Sequence, residues 1–314
     1  MNTTLITGHN GFVGSNLIQA FQNNYELLGV DIPQHDPAQA PPLPPEKSFS
    51  WDQLHELPKV NTIIHLAGKA HDTANVSAPE IYFEVNLGLT KRIFDHFLQS
   101  KATTFIFFSS VKAVADTLEG ETLTEDHKAD PQTPYGQSKL AAEQYIINKI
   151  FENGHENTPL NAIDFSESSF LRKSGKRVFI LRPAMIHGPG NKGNLNLLYK
   201  VVQKGIPWPL GAFNNQRSFA SIDNVAYLLR HIIEKPVAPG IYNLADDQPL
   251  ATNRLIGLMA ESLNRKTRIW NMPPGLIKLL ARTGDILHLP LNSERLKKLT
   301  ESYVVSNARI KNAL

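Results

Sequence analysis

The chain has 314 residues, 41% hydrophobic and 19% charged, with 32 Lys and Arg against 29 Asp and Glu, a formal charge of +3 and no cysteine. This composition excludes a disordered or fibrous protein, and the missing thiols exclude disulfides, thiolate nucleophiles and cysteine-ligated metals. Cations are scattered without a dense basic run, which argues against nucleic acid; no stretch approaches 18 apolar residues, and a reducing cytoplasm is the expected setting.

The first predicted strand, Thr4-Leu5-Ile6, runs directly into Thr7-Gly8-His9-Asn10-Gly11-Phe12-Val13-Gly14. Glycines at i, i+3 and i+6 suit a tight turn, close backbone approach to a pyrophosphate, and close packing of the next helix on the sheet. Ser15 to Phe21 continues as an amphipathic helix, and Tyr25 to Val30 reads as a second strand ending at Asp31, 17 residues after Gly14. A carboxylate there accepts hydrogen bonds from both adenosine ribose hydroxyls and repels a 2′-phosphate. No Arg or Lys lies between Thr7 and Val30 to hold such a phosphate, so NAD is expected rather than NADP. Capping of the following loop is the alternative role for Asp31.

Pro33 to Pro45 cannot be helix or inner strand and reads as a surface loop. Thr62 to Gly68 then reads as a buried strand, Ile81 to Ser100 as a long helix, and Thr104 to Ser110 as a strand whose carboxyl end carries two hydroxyls. Pro134 to Phe151 has helical periodicity with proline in its first turn. Asn161 to Ser174 is polar and aperiodic and is expected to be a surface excursion; Arg177 to Pro183 is a further strand. Strands that alternate with helices and read as continuous apolar runs predict an α/β fold, a doubly wound parallel sheet with ligands at the strands' carboxyl ends. Beyond Pro183 come turns at Gly188-Pro189-Gly190-Asn191 and then helices, a smaller and mainly helical lobe. The expected division is a Rossmann domain at 1–184, with a return segment at about 215–245, and a substrate lobe at 185–214 and 246–314. In that lobe Pro274 to Arg282 mixes apolar residues with two cations; packing of a lobe helix on the core is favoured, and a membrane surface is the alternative.

Tyr135-Gly136-Gln137-Ser138-Lys139 places a phenol and an ammonium four residues apart on one helix face. At ~5 Å and an effective dielectric near ~20, one positive charge favours phenolate by about 3 kcal/mol, roughly two pK units. The phenol is therefore expected to become a usable base near neutral pH. An ordinary helix surface pair is the alternative reading.

TGHNGFVG, Asp31, HLAG, FFSS, YGQSK and LRPAMIHGPG follow one another in this order and at these spacings. On this set the chain resembles the extended short-chain dehydrogenase/reductase family, in its nucleotide-sugar epimerase/dehydratase branch, from Thr4 to about Ala308. Ser109-Ser110-Val111-Lys112 and the helical carboxyl half look most like a bacterial subgroup acting on UDP-linked sugars. The resemblance implies Tyr135 as acid/base, Lys139 as its pK-lowering partner and Ser110 as the hydroxyl bridging substrate and phenol, with Ser109 the weaker claimant. It implies NAD held by Gly8, Asn10, Gly11, Phe12, Val13, Gly14, Asp31, Leu66, Ala67, Gly68, Asn86, Pro183, Tyr135 and Lys139, with Asp52 at the adenine amino group. Asp52 could equally cap a helix, Leu66 to Gly68 could be a plain strand end, and Asn86 a buried amide bonded to backbone.

Asn194, Leu195 and Arg217 match positions that bind the nucleotide diphosphate, a surface salt bridge being the alternative for Arg217. No metal is implied. The partners implied are a UDP-linked sugar and a second copy of the chain, joined through helices at 81–100 and 134–151. Ala113-Val114-Ala115 and Met185 depart from common branch patterns, and Val111-Lys112 stands where sugar dehydratases carry an acidic pair, which argues against dehydration. Two activities fit this machinery: 4-epimerisation through a transient 4-keto sugar, which is favoured, and 4-keto reduction. A non-catalytic NAD-binding regulatory protein is the third reading.

Overall fold

The computed structural model describes residues 2–32, 41–69, 78–118, 120–151, 160, 163–191, 194–287 and 292–314. The first half runs β1 (Thr3–Thr7), α1 (Phe12–Phe21), β2 (Glu26–Val30), β3 (Ser48–Phe49), β4 (Thr62–His65), α2 (Pro79–Tyr82), α3 (Leu89–Gln99), β5 (Thr104–Phe108), β6 (Thr122–Leu123) and α4 (Pro134–Ile150). Then follow α5 (Ser169–Ser174), β7 (Arg177–Pro183), β8 (Met185–His187), α6 (Asn194–Gln203), β9 (Phe219–Ser221), α7 (Ile222–Glu234) and β10 (Gly240–Leu244). The chain continues with α8 (Thr252–Ser262), α9 (Pro274–Leu287), α10 (Ser293–Thr300), β11 (Val304–Val305) and α11 (Ala308–Ala313).

Seven of these strands form one parallel sheet in the order β10-β7-β5-β4-β1-β2-β3. Strand side chains alternate between faces, so apolar runs need cover on both. Leu5, Ile63, Phe105, Phe107, Val178 and Ile180 pack with α3 and α4 on one face. Ile6, Ile64, Ile106, Phe179 and Leu181 pack with α1 and α7 on the other. A separate cluster built on Leu198, Trp208, Ile256, Ile277, Ala281 and Leu296 joins α6, α8, α9 and α10 into the smaller lobe.

The helices expected beyond Pro183 are interrupted by strand β10, which pairs with β7 in register Ile241 to Ile180. Ile310 of α11 also returns to the sheet face. The helix predicted over 81–100 carries a π-helical turn at Phe83–Gly88, a local widening frequent at functional sites. The excursion expected over 161–174, of which 161 and 162 lie outside the described residues, is a correction: it holds a 3₁₀ turn and α5. Phe165 and Leu171 are buried in the core, and the buried Ser168 hydroxyl bonds to Ile150 O at 2.6 Å while accepting Leu171 N–H. Two apolar anchors four or more residues apart were too sparse to produce a recognisable period. Residues 33–40 of the predicted proline-rich loop lie outside the described residues. Among the described residues no helix is long and apolar enough to cross a membrane.

Candidate active site

β1 delivers the chain into the glycine turn at the carboxyl edge of the sheet. Gly8 has φ +72°, and a Cβ there would stand 2.8 Å from Ala67 Cα and N, so the turn lies against the loop that follows β4. A Cβ on Gly14 would come within 2.4 Å of Gly8 O and 2.6 Å of His9 Cα. Gly11 caps α1 without a side-chain hydrogen bond, which leaves the first N–H groups of a ten-residue helix for an external acceptor. Asp31 at the end of β2 accepts Asn10 N–H at 2.9 Å, so its carboxylate is held beside the turn. These residues fit a dinucleotide: the backbone is bare where a pyrophosphate must approach, and the acid stands one strand away.

Sequence reasoning missed His9. Its ring is 1% exposed, with Nδ1 4.0 Å from Asp31 and Nε2 2.9 Å from Ser48 Oγ. Burial pushes its pKa down despite the nearby Asp31 carboxylate. The ring fills the space that a side chain at Gly29 would need, a contact across two strands that local pattern does not reveal. Gly14→Ala is expected to cost about 2–3 kcal/mol, because the new methyl meets backbone rather than a movable side chain, and to abolish dinucleotide binding. Thermal melts and NADH fluorescence titration check both effects.

Leu66 N–H donates to Thr7 O and Ala67 N–H to Thr7 Oγ1, each at 3.2 Å, tying the β4 loop to β1. Asn86, on the π turn, is fully buried: its Oδ1 accepts Lys69 N–H at 2.8 Å, and its Nδ2 donates to Ser138 Oγ at 2.9 Å and Lys69 O at 3.2 Å. It clamps the β4 loop to α4, the backbone-bonded arrangement left open above. Asp52 neither caps its helix nor is buried. Ser50 is the cap, and the 93% exposed Asp52 carboxylate pairs with Arg92 at 3.1 Å.

Thr133 caps α4 by accepting Gly136 N–H at 3.2 Å, and Asp116 accepts Thr133 N–H at 2.9 Å, which positions the helix's first turn. Tyr135 in that turn is hydrogen-bonded to Ser110, just past β5. Lys139, one turn on and buried, donates to Phe108 O at 2.9 Å, and its Nζ would be 3.1 Å from a Cβ on Gly68. The three predicted residues therefore meet at the carboxyl ends of β4 and β5.

The expected acidity is corrected. Burial pushes the Tyr135 phenol above its ordinary value, and Ser110 opposes that by favouring phenolate. Lys139 is itself held at about 8 by burial, with Glu143 opposing the shift. The sequence argument counted the charge–charge attraction and omitted desolvation, which acts against both charged forms.

Ser109 points elsewhere, donating to Glu143, which receives Arg182 Nε at 3.0 Å and Arg182 NH2 at 2.6 Å; both charged residues are at most 1% exposed. This buried pair unites α4, β5 and β7 behind the site and has no local signature. Pro183 ends β7, buried, and Met185 opens β8, half-buried.

In the lobe, Asn194 opens α6, but its side chain lies outside the described residues; Leu195 follows half-buried. Among the described residues Arg217 makes no surface salt bridge; its guanidinium donates to Lys298 O. Its backbone bridges to Tyr303, and Lys112 Nζ stands 4.3 Å over the Tyr303 ring. Burial holds Lys112 at about 8, with Asp116 opposing and Arg217 adding to the shift. Lys112, two residues from Ser110 and read in the sequence only as an argument against dehydration, thus lies within electrostatic reach of Arg217, read there as a diphosphate ligand.

Known proteins resemble the chain in sequence and in fold. Residues 4–245 match the NAD dependent epimerase/dehydratase family. A UDP-glucose 4-epimerase of Vibrio cholerae is 30% identical over 278 residues, 86% of this chain and 77% of that protein. The N-acetyl-alpha-D-glucosaminyl-diphospho-ditrans,octacis-undecaprenol 4-epimerase of Escherichia coli O157:H7 is 26% identical over 99% of this chain and 85% of its own. In structure, a Thermus thermophilus UDP-glucose 4-epimerase in complex with NAD superposes with TM-score 0.69 at 20% identity, over 99% of this chain and 92% of that one. With a glycine turn built for a dinucleotide and a serine, tyrosine and lysine converging beside it, the chain belongs to the NAD-dependent epimerase/dehydratase family of enzymes.

Proposed function

We propose that the protein is a nucleotide-sugar 4-epimerase acting on a UDP-hexose or UDP-N-acetylhexosamine through a transient 4-keto sugar. The observation that carries this reading is the meeting of Ser110, Tyr135 and Lys139 beside the glycine turn; the 30% identity to the Vibrio cholerae UDP-glucose 4-epimerase supports it. NAD, when bound, supplies reversible hydride storage. Tyr135 takes the proton from the sugar O4 as C4 is oxidised and returns it after the keto sugar has turned over in the site. Ser110 gives its single hydroxyl proton to the phenolate oxygen and so steadies it. Lys139 lends positive charge at the carboxyl edge of the sheet, which opposes the desolvation of the Tyr135 phenolate. Lys112, over the Tyr303 ring, and Arg217, whose backbone bridges to Tyr303, hold the diphosphate together with Asn194 and Leu195. A homodimer through the helices at 81–100 and 134–151 belongs to the same proposal.

The test is cofactor stoichiometry. Protein denatured after purification should release about one NAD per chain, and fresh protein should interconvert 4-epimers of a UDP-sugar with no net cofactor oxidation. An empty protein consuming one reduced cofactor per 4-keto sugar would instead make it a 4-keto reductase.

Lys112 gives a pH-dependent expectation. Below about pH 8 it is protonated and attracts the diphosphate; above, it is neutral and affinity falls. Lys139 loses its proton in the same range. The alkaline limb of kcat/KM, which reports the free enzyme, should therefore fall with the loss of two protons. Lys112→Met should leave a one-proton limb and raise KM about tenfold with kcat nearly kept, a change of about 1.4 kcal/mol in binding. Steady-state kinetics from pH 6 to 10 checks this.

A further inference from the structure

α9 carries more apolar surface than its packing uses. Ile277, Ala281 and Gly284 form the buried stripe against the lobe, while Leu276, Leu279, Leu280, Ile286 and Leu287 are 44–77% exposed. At 3.6 residues per turn those five, with Thr283 among them, span one continuous sector of about 120°, and Lys278, Arg282 and Asp285 fall together between that sector and the buried stripe. The helix is thus divided into three faces: one packed, one apolar and exposed, one polar. Asp285 is engaged with Ser293 N at 2.9 Å and Ser293 Oγ at 2.5 Å, which fixes the start of α10 against α9. Between the two helices an open cleft of about 320 Å³ is lined by Lys278, Arg282 and Lys297 with Phe213 and Leu296.

The charge around α9 is equally one-sided. From Arg265 to Lys298 the chain has eight Lys and Arg against two acids, Asp285 and Glu294, a net +6, whereas the whole chain carries only +3. The rest of the chain is therefore net negative, and the excess of positive charge falls in the segment of sequence that carries α9.

We propose that α9 seats the protein on an anionic phospholipid bilayer, with Leu276, Leu279, Leu280, Ile286 and Leu287 entering the headgroup boundary and Lys278 and Arg282 meeting lipid phosphates. Apolar area beside cations is the combination that binds a helix in the membrane plane, and its strength depends on both. A second copy fits the face less well. A 14-residue helix is about 21 Å long, so one exposed sector of it falls well short of the roughly 800 Å² per partner of a stable interface. Antiparallel twofold pairing would also bring the single cationic border of each copy onto the same side. The proposal does not depend on which sugar is turned over.

The experiment is co-sedimentation of the full chain with vesicles of phosphatidylglycerol and phosphatidylethanolamine, and with vesicles of phosphatidylcholine alone, at low and high salt. The expected result is binding to the anionic vesicles that weakens with salt. Leu279→Glu with Ile286→Glu, and separately Lys278→Glu with Arg282→Glu, should each lower the partition coefficient by about tenfold or more. All four positions are exposed, and unchanged melting temperatures will establish that the variants fold. Absence of vesicle binding by the unaltered chain, or binding that neither pair of substitutions reduces, overturns the proposal. So does a fall in sedimentation coefficient on combining Leu279→Glu with Ile286→Glu in a protein that ignores vesicles, because the face would then join copies of the chain.

Discussion

Tyr135→Phe is expected to lower kcat about a thousandfold while leaving NAD binding and the melting temperature nearly unchanged. The substitution removes one oxygen. The ring keeps its edge contact with Tyr82, 6.4 Å between centroids, and α4 keeps its Thr133 cap and the Asp116 bonds beneath it. What is lost is the group that holds a proton at the sugar O4 and the partner of Ser110. Phenylalanine leaves no group at that place to hold the O4 proton, so the loss should appear in kcat rather than in KM. Turnover by the variant within tenfold of the unaltered protein would remove Tyr135 from the chemistry. Full biological activity with no turnover at all would favour an NAD-binding regulatory role. The same variant should still release NAD on denaturation, which separates loss of chemistry from loss of cofactor.

Arg182→Met is expected to destabilise the fold by about 3–5 kcal/mol, because it removes the guanidinium that meets both Glu143 oxygens and leaves the buried carboxylate with the Ser109 hydroxyl and the more distant Lys139 charge. The cost is that of a buried carboxylate stripped of its bidentate partner. Glu143 has no exposure through which water could replace the guanidinium. The double variant Glu143→Met with Arg182→Met should recover most of the loss, since an apolar pair of similar volume needs no desolvated charge. Urea denaturation of the two single variants and the double variant measures the coupling; additive losses would mean that the pair is not a unit. Glu143 also opposes the fall in the Lys139 pKa, so Glu143→Met should move the alkaline limb of kcat/KM to lower pH. That readout distinguishes a group that positions and tunes the site from one that only holds the fold together.

The reading of the chain was most complete where chemistry and spacing are local. The glycine turn follows from three residues in seven, the βαβ unit from apolar runs a few residues apart, and Tyr135 and Lys139 from a single turn of helix. Short-range geometry forces these outcomes: a glycine at φ +72° and an i, i+4 pair occur wherever the backbone adopts that turn and that helix. The same held for the parallel sheet, whose strands are apolar on both faces because helices cover both.

Tertiary structure decided everything that depends on residues far apart in the chain. Ser109, Glu143 and Arg182 are 34 and 39 positions apart, and only the packing of β5, α4 and β7 turns them into one buried network. His9 beneath Gly29, and Lys112 with Arg217 around Tyr303, arise in the same way. Desolvation is also a tertiary quantity, which is why the phenol's acidity moved opposite to what Lys139 alone would produce. For α9 the sequence by itself determined an apolar helix with cations. Which apolar stripe would be buried and which left facing solvent was settled only when the lobe packed against Ile277, Ala281 and Gly284, since a helix with two apolar faces can bury only one against a single neighbour.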